Sequence, residues 1–155
     1  MSQHRASEQA EEAAAVMTAA GMPRMPARVL MALLAAPDGG YTAAELGDRL
    51  GVSAAAVSGA VRYLQTLHFI RRRSRPGHRR DRYEVVSDSW FGVMTANAPV
   101  YNRLADLIDG IRAAQDDPDA AVHAAEMSSF LRFMARRMPE LVQEWEAERN
   151  GPEGA

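Results

Sequence analysis

The chain has 155 residues, no cysteine, 47% hydrophobic and 25% charged residues, and a formal net charge of −2; this indicates one globular domain, or a small domain with helical extensions, and argues against disorder. The missing cysteines exclude disulfides, zinc fingers, iron–sulfur clusters and thiol nucleophiles. No apolar run approaches the ~20 residues that cross a bilayer, and no secretory signal pattern opens the chain, so we expect a cytoplasmic protein.

The first predicted element is a helix over residues 7–20, with an apolar face built from alanines and Met17. Ser7 can cap this helix, and Gly21 ends it. Because the apolar face is weak, we expect the helix to pack against another element.

Three further helices are predicted before residue 67. Pro26 suits the first turn of the second helix, and the sequence PDGG at residues 37–40 forms a turn after it. The sequence TAAE at 42–45 is a capping box for a short third helix, which Gly51 ends. Ser53 can cap the fourth.

The fourth helix has two contrasting faces. Val57, Val61 and Leu64 recur at helical spacing and point inward. The other face has short side chains and almost no charge: Ser53, Ala54, Ala55, Ser58, Gly59 and Arg62. A solvated face usually carries longer polar residues, whereas short ones allow another molecule to approach closely. For the alanines, helix propensity and composition bias explain the pattern at least as well.

A β-hairpin with an arginine-rich tip follows. Phe69 and Ile70 begin one strand, Gly77 suits a type II turn, and residues 83–86 return. Seven arginines fall within twelve positions: Arg71, Arg72, Arg73, Arg75, Arg79, Arg80 and Arg82. Such a cluster attracts polyanions; the alternative is a solvated face. Two strands alone are marginally stable, so the hairpin must lean on the helices.

Two helices complete the chain. Residues 90–114 form the first, with a kink or restart near Ala98 caused by Pro99. Pro118 begins the last helix, and Pro139 should bend it. Alternating steps of four and three residues give this helix a heptad seam: Ala120, Ala124, Met127, Leu131, Met134, Met138, Leu141 and Trp145.

These elements predict a mainly α fold with a small β-hairpin wing, namely a winged helix-turn-helix with N- and C-terminal dimerisation helices. We divide the chain into a dimerisation helix (1–22), a DNA-binding domain (23–86), a C-terminal helical dimerisation region (87–149) and a flexible tail (150–155). Residues 23–86 hold eleven arginines against five acids, whereas residues 87–155 hold six against twelve.

The stretch PARVLMALLAAPDGGYTAAELGDRLGVSAAAVSGAVRYLQTLHFIRRRSRPGHRRDRYEV resembles the MarR superfamily. It is closest to the GbsR-like branch, in which a Pro-Gly-x-Arg wing follows the pattern VSxxAVSxAVRYL; LVQEWEAER near the C-terminus resembles that branch more weakly. Many MarR proteins carry Asp-x-Arg in the wing, whereas here Arg82 directly follows Asp81. The resemblance implies a bacterial transcriptional regulator and, in some members, a small-molecule effector.

We expect double-stranded DNA to contact recognition helix 53–66 and wing 71–82. Serine hydroxyls and a helix N-terminus suit phosphates, Arg62 suits a phosphate or a guanine, and the wing arginines suit the minor groove or its phosphates. The predicted DNA-binding residues are Ser53, Ala54, Ala55, Ser58, Arg62, Arg73, Arg75, His78, Arg79 and Arg80.

Leftover apolar surface predicts a C2 homodimer. Its predicted interface residues are Leu104, Ile108, Met127, Leu131, Met134, Met138 and Trp145. The abundant methionines and aromatic residues also suit an effector pocket, although ordinary packing with Met as gap-filler explains them too. The residues predicted to line this pocket are Met17, Met31, Trp90, Phe91 and Met94.

The sequence does not predict an enzyme, a cofactor, a metal site or a membrane partner. Its four histidines lack metal-ligand spacing, and no nucleophile, P-loop or dinucleotide motif is present. The leading hypothesis is a homodimeric transcriptional regulator, a repressor, that reads a near-palindromic operator. The alternatives are a non-specific architectural DNA-binding protein and a winged-helix protein-interaction module, which an arginine-rich wing suits poorly.

Overall fold

The computed structural model describes residues 2–74, 77, 80–86, 92 and 95–151, with side chains from residue 5 onward. The chain divides into two compact units, Met1–Trp90 and Phe91–Ala155. In the described residues, the first unit contains four helices and a small sheet, and the second contains a pair of helices.

The first unit has the element order of a winged helix-turn-helix, so the predicted fold class is confirmed. Its elements are α1 (Ser2–Ala19), α2 (Arg24–Leu34), β1 (Tyr41–Thr42), α3 (Ala43–Leu50), α4 (Ala54–Thr66), β2 (Ile70–Arg73) and β3 (Arg82–Val85). The first helix begins at Ser2 rather than at the predicted Ser7.

The core of this unit forms where α2, α3 and α4 meet. Its largest fully buried side chains are Leu30, Leu46, Leu64, Val29 and Val57. Helix α1 packs on α2, as its weak apolar face requires, and Ala14 is buried there. Arg28 of α2 pairs with Glu11 of α1 at 2.8 Å and donates to the Leu50 carbonyl at 3.0 Å. Both ends of this link lie in separate helices, so Arg28 joins α1 to the end of α3.

The predicted capping box begins α3. The Thr42 hydroxyl accepts from the Glu45 N–H at 3.2 Å, and the Glu45 carboxylate accepts from the Thr42 N–H at 2.7 Å. Gly51 ends α3 in the left-handed conformation (φ 64°), which glycine adopts at little cost. Ser53 then caps α4 by accepting from the Ala56 N–H at 3.3 Å. The tight turn between α3 and α4 is therefore fixed at both ends.

The predicted two-stranded hairpin is in fact part of a three-stranded antiparallel sheet, in the order β1-β3-β2. The short strand β1 pairs with β3 through Tyr41↔Tyr83 and Thr42↔Arg82. The hairpin of β2 and β3 is confirmed, but the third strand was not predicted, because its pairing joins residues far apart in sequence and Thr42 was interpreted only as a helix cap. The third strand is the support that a two-stranded wing needs.

The second unit is a helical hairpin of α5 (Ala98–Ala113) and α6 (Pro118–Arg149). The predicted restart at Ala98 is confirmed, with Pro99 in the first turn of α5. Asp117 caps α6, which runs through Pro139 without interruption. The Ser128 hydroxyl donates to Asp109 at 2.8 Å, and Arg132 donates to Asp106 at 3.1 Å. Later residues of α6 thus meet earlier residues of α5, so the helices are antiparallel.

Candidate nucleic-acid interface

The outer face of α4 is exposed and carries no acidic side chain. Its inner face is fixed to the core by Val57 and Leu64, both 0% exposed. The six residues that the sequence predicted for this face are all exposed: Ser53, Ala54, Ala55, Ser58, Gly59 and Arg62. A flat surface of short side chains with one guanidinium can approach another molecule closely.

The start of α4 presents backbone N–H groups that are not used within the helix. The first N–H groups of a helix have no acceptor within it, and here Ser53 satisfies only the N–H of Ala56 with its side chain. The N–H groups of Ala54 and Ala55 therefore point out of the exposed end of the helix. This arrangement suits a phosphate.

Two exposed arginines near the predicted DNA-binding surface form no ion pair with any described residue. Arg62 on α4 and Arg80 before β3 are exposed, and neither forms an ion pair within the part of the chain that the structure describes. An exposed guanidinium without a partner can bind a phosphate without first losing an ion pair. Arg62 is the only charged residue of α4.

The arginines at the base of the wing, in contrast, are paired. Glu84 of β3 accepts from Arg71 at 2.6 Å and from Arg73 at 3.3 Å; Arg71 lies directly opposite Glu84 in the β2–β3 ladder, and Arg73 lies two residues further along β2. Mainly through the hydrogen bond from Arg71, these arginines hold the pKa of Glu84 below its usual range. Arg72 pairs with Asp81, which also accepts from the Ser74 hydroxyl. The charges of Arg71, Arg72 and Arg73 are thus partly neutralised within the chain.

Arg82 has a different set of partners from the other wing arginines. Its Nε donates to the Gly39 carbonyl at 3.0 Å, and its Nη2 donates to the Gly40 carbonyl at 2.7 Å. The same Nη2 lies 3.2 Å from Oε2 of Glu45, the capping carboxylate of α3. Arg82 therefore points toward the α2–β1 loop and the start of α3.

Three of the predicted DNA-binding residues, Arg75, His78 and Arg79, lie outside the described residues. Of the remaining wing predictions, Arg80 is exposed, and Arg73 is exposed but engaged with Glu84.

The predicted effector pocket is described only in part. Met17 and Met31 are half-buried and pack against the core of the first unit, whereas Trp90, Phe91 and Met94 lie outside the described residues. A separate open cavity of about 240 Å³ lies between α1 and α2 and is lined by Glu11, Ala14, Ala15, Thr18, Arg24 and Arg28. Neither methionine lines this cavity.

The predicted dimer residues fall into two groups. Ile108 and Met138 are buried within the α5–α6 pair, and Leu131 and Met134 are half-buried. Leu104, Met127 and Trp145 are exposed. Other large apolar side chains of this unit are exposed as well: Val100, Leu107, Ile111, Val122, Phe130, Phe133 and Leu141.

The roles of Arg82 and Glu84 were not predicted from the sequence, because both depend on strand pairing. One available signal was Glu84 itself, the only acid in the returning strand, placed opposite a run of arginines.

Over the described ranges, no group of three or more acidic or histidine side chains could hold a metal ion. Within those same ranges, no helix combines the length and apolarity needed to cross a bilayer.

Comparisons with known proteins agree with this geometry. A model of the MarR family matches residues 20–81, and a model of MmpR5-like MarR family transcriptional regulators matches residues 88–148. One solved structure, described as the crystal structure of a transcriptional regulator, superposes with a TM-score of 0.79 at 22% identity, over 92% of this chain and 98% of that one. A search of curated proteins found no match.

Neither matched family model is described as GbsR-like, so that finer assignment stays a prediction. The two models match consecutive segments that include the helix-turn-helix and both C-terminal helices. The fold of the solved structure extends over nearly the whole chain. On these grounds the chain belongs to the MarR superfamily of transcriptional regulators.

Proposed function

We propose that this protein is a homodimeric repressor that reads a near-palindromic DNA operator with recognition helix 53–66 and the arginine-rich wing 71–82. The observation that carries the proposal is the outer face of α4, which is exposed, has short side chains and no acidic residue, and holds Arg62, which forms no ion pair with any residue that the structure describes. In helix-turn-helix proteins the second helix of the motif enters the major groove.

The residues of this face suit distinct DNA contacts. The exposed N–H groups at the start of α4, with the hydroxyls of Ser53 and Ser58, suit phosphates or base edges. Arg62 suits a phosphate, or a guanine through two hydrogen bonds, and the methyls of Ala54 and Ala55 suit thymine methyls. On the wing, Arg80 and the predicted contacts Arg75, His78 and Arg79 would reach the minor groove or its phosphates.

Dimerisation is proposed from the exposed apolar face of the helical hairpin. On α5, the exposed residues Val100, Leu104, Leu107 and Ile111 lie within about 60° of one another around the helix axis. On α6, a similar stripe contains Met127, Phe130, Leu141 and Trp145. In each helix the stripe lies about 90–100° to the same side of the buried face. Because the helices are antiparallel, both stripes lie on one side of the hairpin.

A second copy of this chain is the occupant we propose for that side. Monomeric proteins rarely expose an apolar surface this continuous, and an identical hairpin offers a matching surface under two-fold symmetry. Because Ile108 and Met138 are already buried in their own chain, the proposed contacts are made chiefly by Leu104, Met127 and Trp145. The helix 1–22 would contribute Val16, which is exposed.

The dimer is tested by light scattering at micromolar concentration. Leu104→Glu with Met127→Glu should give the mass of a monomer, because each dimer would bury four uncompensated charges. Val122→Glu is the matched control: Val122 is equally exposed but lies on another side of α6, so its variant should stay dimeric. A monomeric wild type would contradict the proposal.

DNA recognition is tested by selecting duplexes from a random library at ~150 mM salt, where non-specific binding is weak. We expect a near-palindromic motif with half-sites one helical turn apart, or a multiple of a turn. If Arg62 reads a base, Arg62→Ala should weaken the free energy of DNA binding by ~1–3 kcal/mol, mainly for the selected motif. Arg136→Ala, which removes an exposed charge from α6, is the matched control. Equal losses for Arg62→Ala on selected and random DNA would assign Arg62 to a phosphate.

Other results of the selection favour the alternatives. Binding without an enriched motif would indicate an architectural DNA-binding protein, which the single arginine of α4 would also suit. No binding would indicate a protein-interaction module.

We also propose that the protein acts in the bacterial cytoplasm and that a small molecule releases it from DNA. A thermal-shift screen tests the latter, because a ligand that binds only the folded state raises Tm.

A further inference from the structure

We infer that Arg82 is a positioning residue that holds the wing in register with the helix-turn-helix, and that it does not itself contact DNA. The inference deepens the proposed function and rests on it. Arg82 belongs to the arginine cluster by sequence, but its guanidinium is engaged with the Gly39 and Gly40 carbonyls and with the Glu45 carboxylate. Its side chain is 28% exposed, whereas those of Arg71 and Arg72 are 61% and 60% exposed.

The three groups that accept hydrogen bonds or ion pairs from Arg82 lie in the loop after α2 and at the start of α3, and α3 packs against α4. Gly39 and Gly40 end the loop after α2, and Glu45 completes the capping box of α3. Arg82 itself stands at the first residue of β3, paired with Arg73 in β2 and with Thr42 in β1. One side chain thus connects the root of the wing to the beginning of the helix that packs against α4.

The backbone next to Arg82 is equally constrained. Gly40 has a φ of +66°, and a Cβ built on it would lie 1.8 Å from the carbonyl oxygen of Tyr83. The loop and β3 therefore approach so closely that only glycine fits. A planar guanidinium can serve two carbonyls and a carboxylate together, whereas the ammonium of lysine cannot reproduce this fork.

Two roles of Arg82 predict different binding measurements: one is to bind a phosphate through its charge, and the other is to orient the wing through its hydrogen bonds. A residue that binds a phosphate through its charge is largely replaced by lysine and contributes about one unit to the salt slope. A residue that orients the wing is not replaced by lysine, and its loss removes the same contacts that mutation of the wing tip removes. Arg82→Lys, Arg82→Met and the wing-tip variant Arg79→Ala/Arg80→Ala distinguish the two roles.

The experiment measures the affinity of the full-length variants for a labelled mixed-sequence duplex and for the selected motif, over a range of salt. We expect Arg82→Lys and Arg82→Met to weaken binding similarly, each by roughly tenfold. The variant that combines Arg82→Met with Arg79→Ala/Arg80→Ala should bind DNA only slightly more weakly than the wing-tip variant alone, because both changes remove the same DNA contacts.

Affinity of Arg82→Lys within about twofold of wild type, or additive losses in the combined variant, would overturn the inference. Circular dichroism and Tm must show that each variant is folded at the assay temperature. If Arg82→Met does not fold, Glu45→Gln with intact Arg82 provides the second test, and it should weaken binding without changing the charge of the wing. A wild type that binds no DNA would refute the proposed function instead.

Discussion

At the scale of one residue, Gly59 lies where helix stability and the proposed DNA contact favour different side chains. It lies within α4 on the exposed face, and a Cβ built there meets nothing within 4 Å. Glycine inside a helix costs ~1 kcal/mol relative to alanine. Glycine on this face suits close approach of DNA, which a methyl group would obstruct.

We therefore expect Gly59→Ala to raise the free energy of unfolding by up to ~1 kcal/mol while it weakens DNA binding. Urea denaturation and a fluorescence-anisotropy titration measure the two effects on the same sample. Thr66→Ala, further along the exposed side of α4, is the comparison for a change outside the predicted contacts. Unchanged affinity in the stabilised Gly59→Ala variant would show that DNA does not approach Gly59.

Residue-scale prediction succeeded where the signal was local. The capping box of Thr42 and Glu45, the left-handed Gly51 and the Ser53 cap each need only a few neighbouring residues, and all three are confirmed. The partners of Arg82 lie more than thirty-five residues earlier in the chain, so no local pattern could reveal them. Whether Ser58 and Arg62 contact DNA stays a prediction, because exposure permits the contact but does not demonstrate it.

At the scale of the element, α4 ends in a conformation that its sequence does not favour. Phe69 N–H donates to the Leu64 carbonyl and His68 N–H to the Gln65 carbonyl, both at 3.0 Å, which is the Schellman arrangement. His68 occupies the left-handed position with a φ of 60°. Glycine is the usual residue there because it lacks a Cβ.

His68→Gly should increase the free energy of unfolding by ~0.5–1 kcal/mol, the difference between relieved left-handed strain and the extra freedom of glycine in the unfolded chain. Gly51→Ala, at the similar φ of 64° that ends α3, should decrease it by ~1 kcal/mol. Chemical denaturation of both variants beside wild type measures the two signs. A destabilised His68→Gly variant would contradict this account.

The start of α3 should make stability depend on acid. The pKa of Glu45 is lowered, first by the hydrogen bond from the Thr42 backbone N–H and also by the nearby charge of Arg82. A group whose pKa is depressed by folding stabilises the folded state above its unfolded pKa, here the ordinary value of 4.5. This contribution is lost as pH falls through the lower pKa of the folded state.

We expect the free energy of unfolding to fall as pH drops below about 4.5, and to fall less in Glu45→Gln. Urea denaturation at several pH values measures the difference. The comparison variant is Glu140→Gln, an exposed acid of α6, which should follow wild type. Parallel pH profiles for Glu45→Gln and wild type would mean that the capping carboxylate carries no folding-linked proton.

For the whole molecule, charge is segregated along the chain. Residues 23–86 carry a net charge of +6 and residues 87–155 carry −6, within a total of −2. The basic segment contains the proposed DNA contacts, and the acidic segment contains the proposed dimer contacts. Binding to a polyanion should therefore respond to mutation of the first segment and to salt, even though the protein is mildly acidic.

Arg79→Ala with Arg80→Ala should weaken binding to all sequences and reduce the salt slope by up to ~2 units per bound protomer, because each lost phosphate contact releases about one counterion fewer. The measurement is the logarithm of affinity against that of salt concentration, with Arg136→Ala/Arg137→Ala removing the same charge from α6. If both double variants lose slope equally, net charge acts and the wing is not a contact.

At this scale the sequence predicted the fold, but it did not predict which apolar side of each helix is buried and which is exposed. The heptad seam of α6 predicted that Met138 and Trp145 share one interface, whereas Met138 is buried against its own chain and Trp145 is exposed. Periodicity shows that a stripe is apolar but not which neighbour covers it. A helix with a broad apolar face can pack on α5 with one edge and leave the other edge free, and only the structure distinguishes these edges.

The ion pairs at the base of the wing also bear on how such a protein would find its target. Arg71, Arg72 and Arg73 are already engaged with Glu84 and Asp81, so each must exchange a carboxylate for a phosphate before it can hold DNA. Wrong sites outnumber the operator by ~10⁶–10⁹ in a genome. A wing that binds every duplex more weakly dissociates sooner from those sites, so the residence time at each wrong site falls and the search for the operator is shorter.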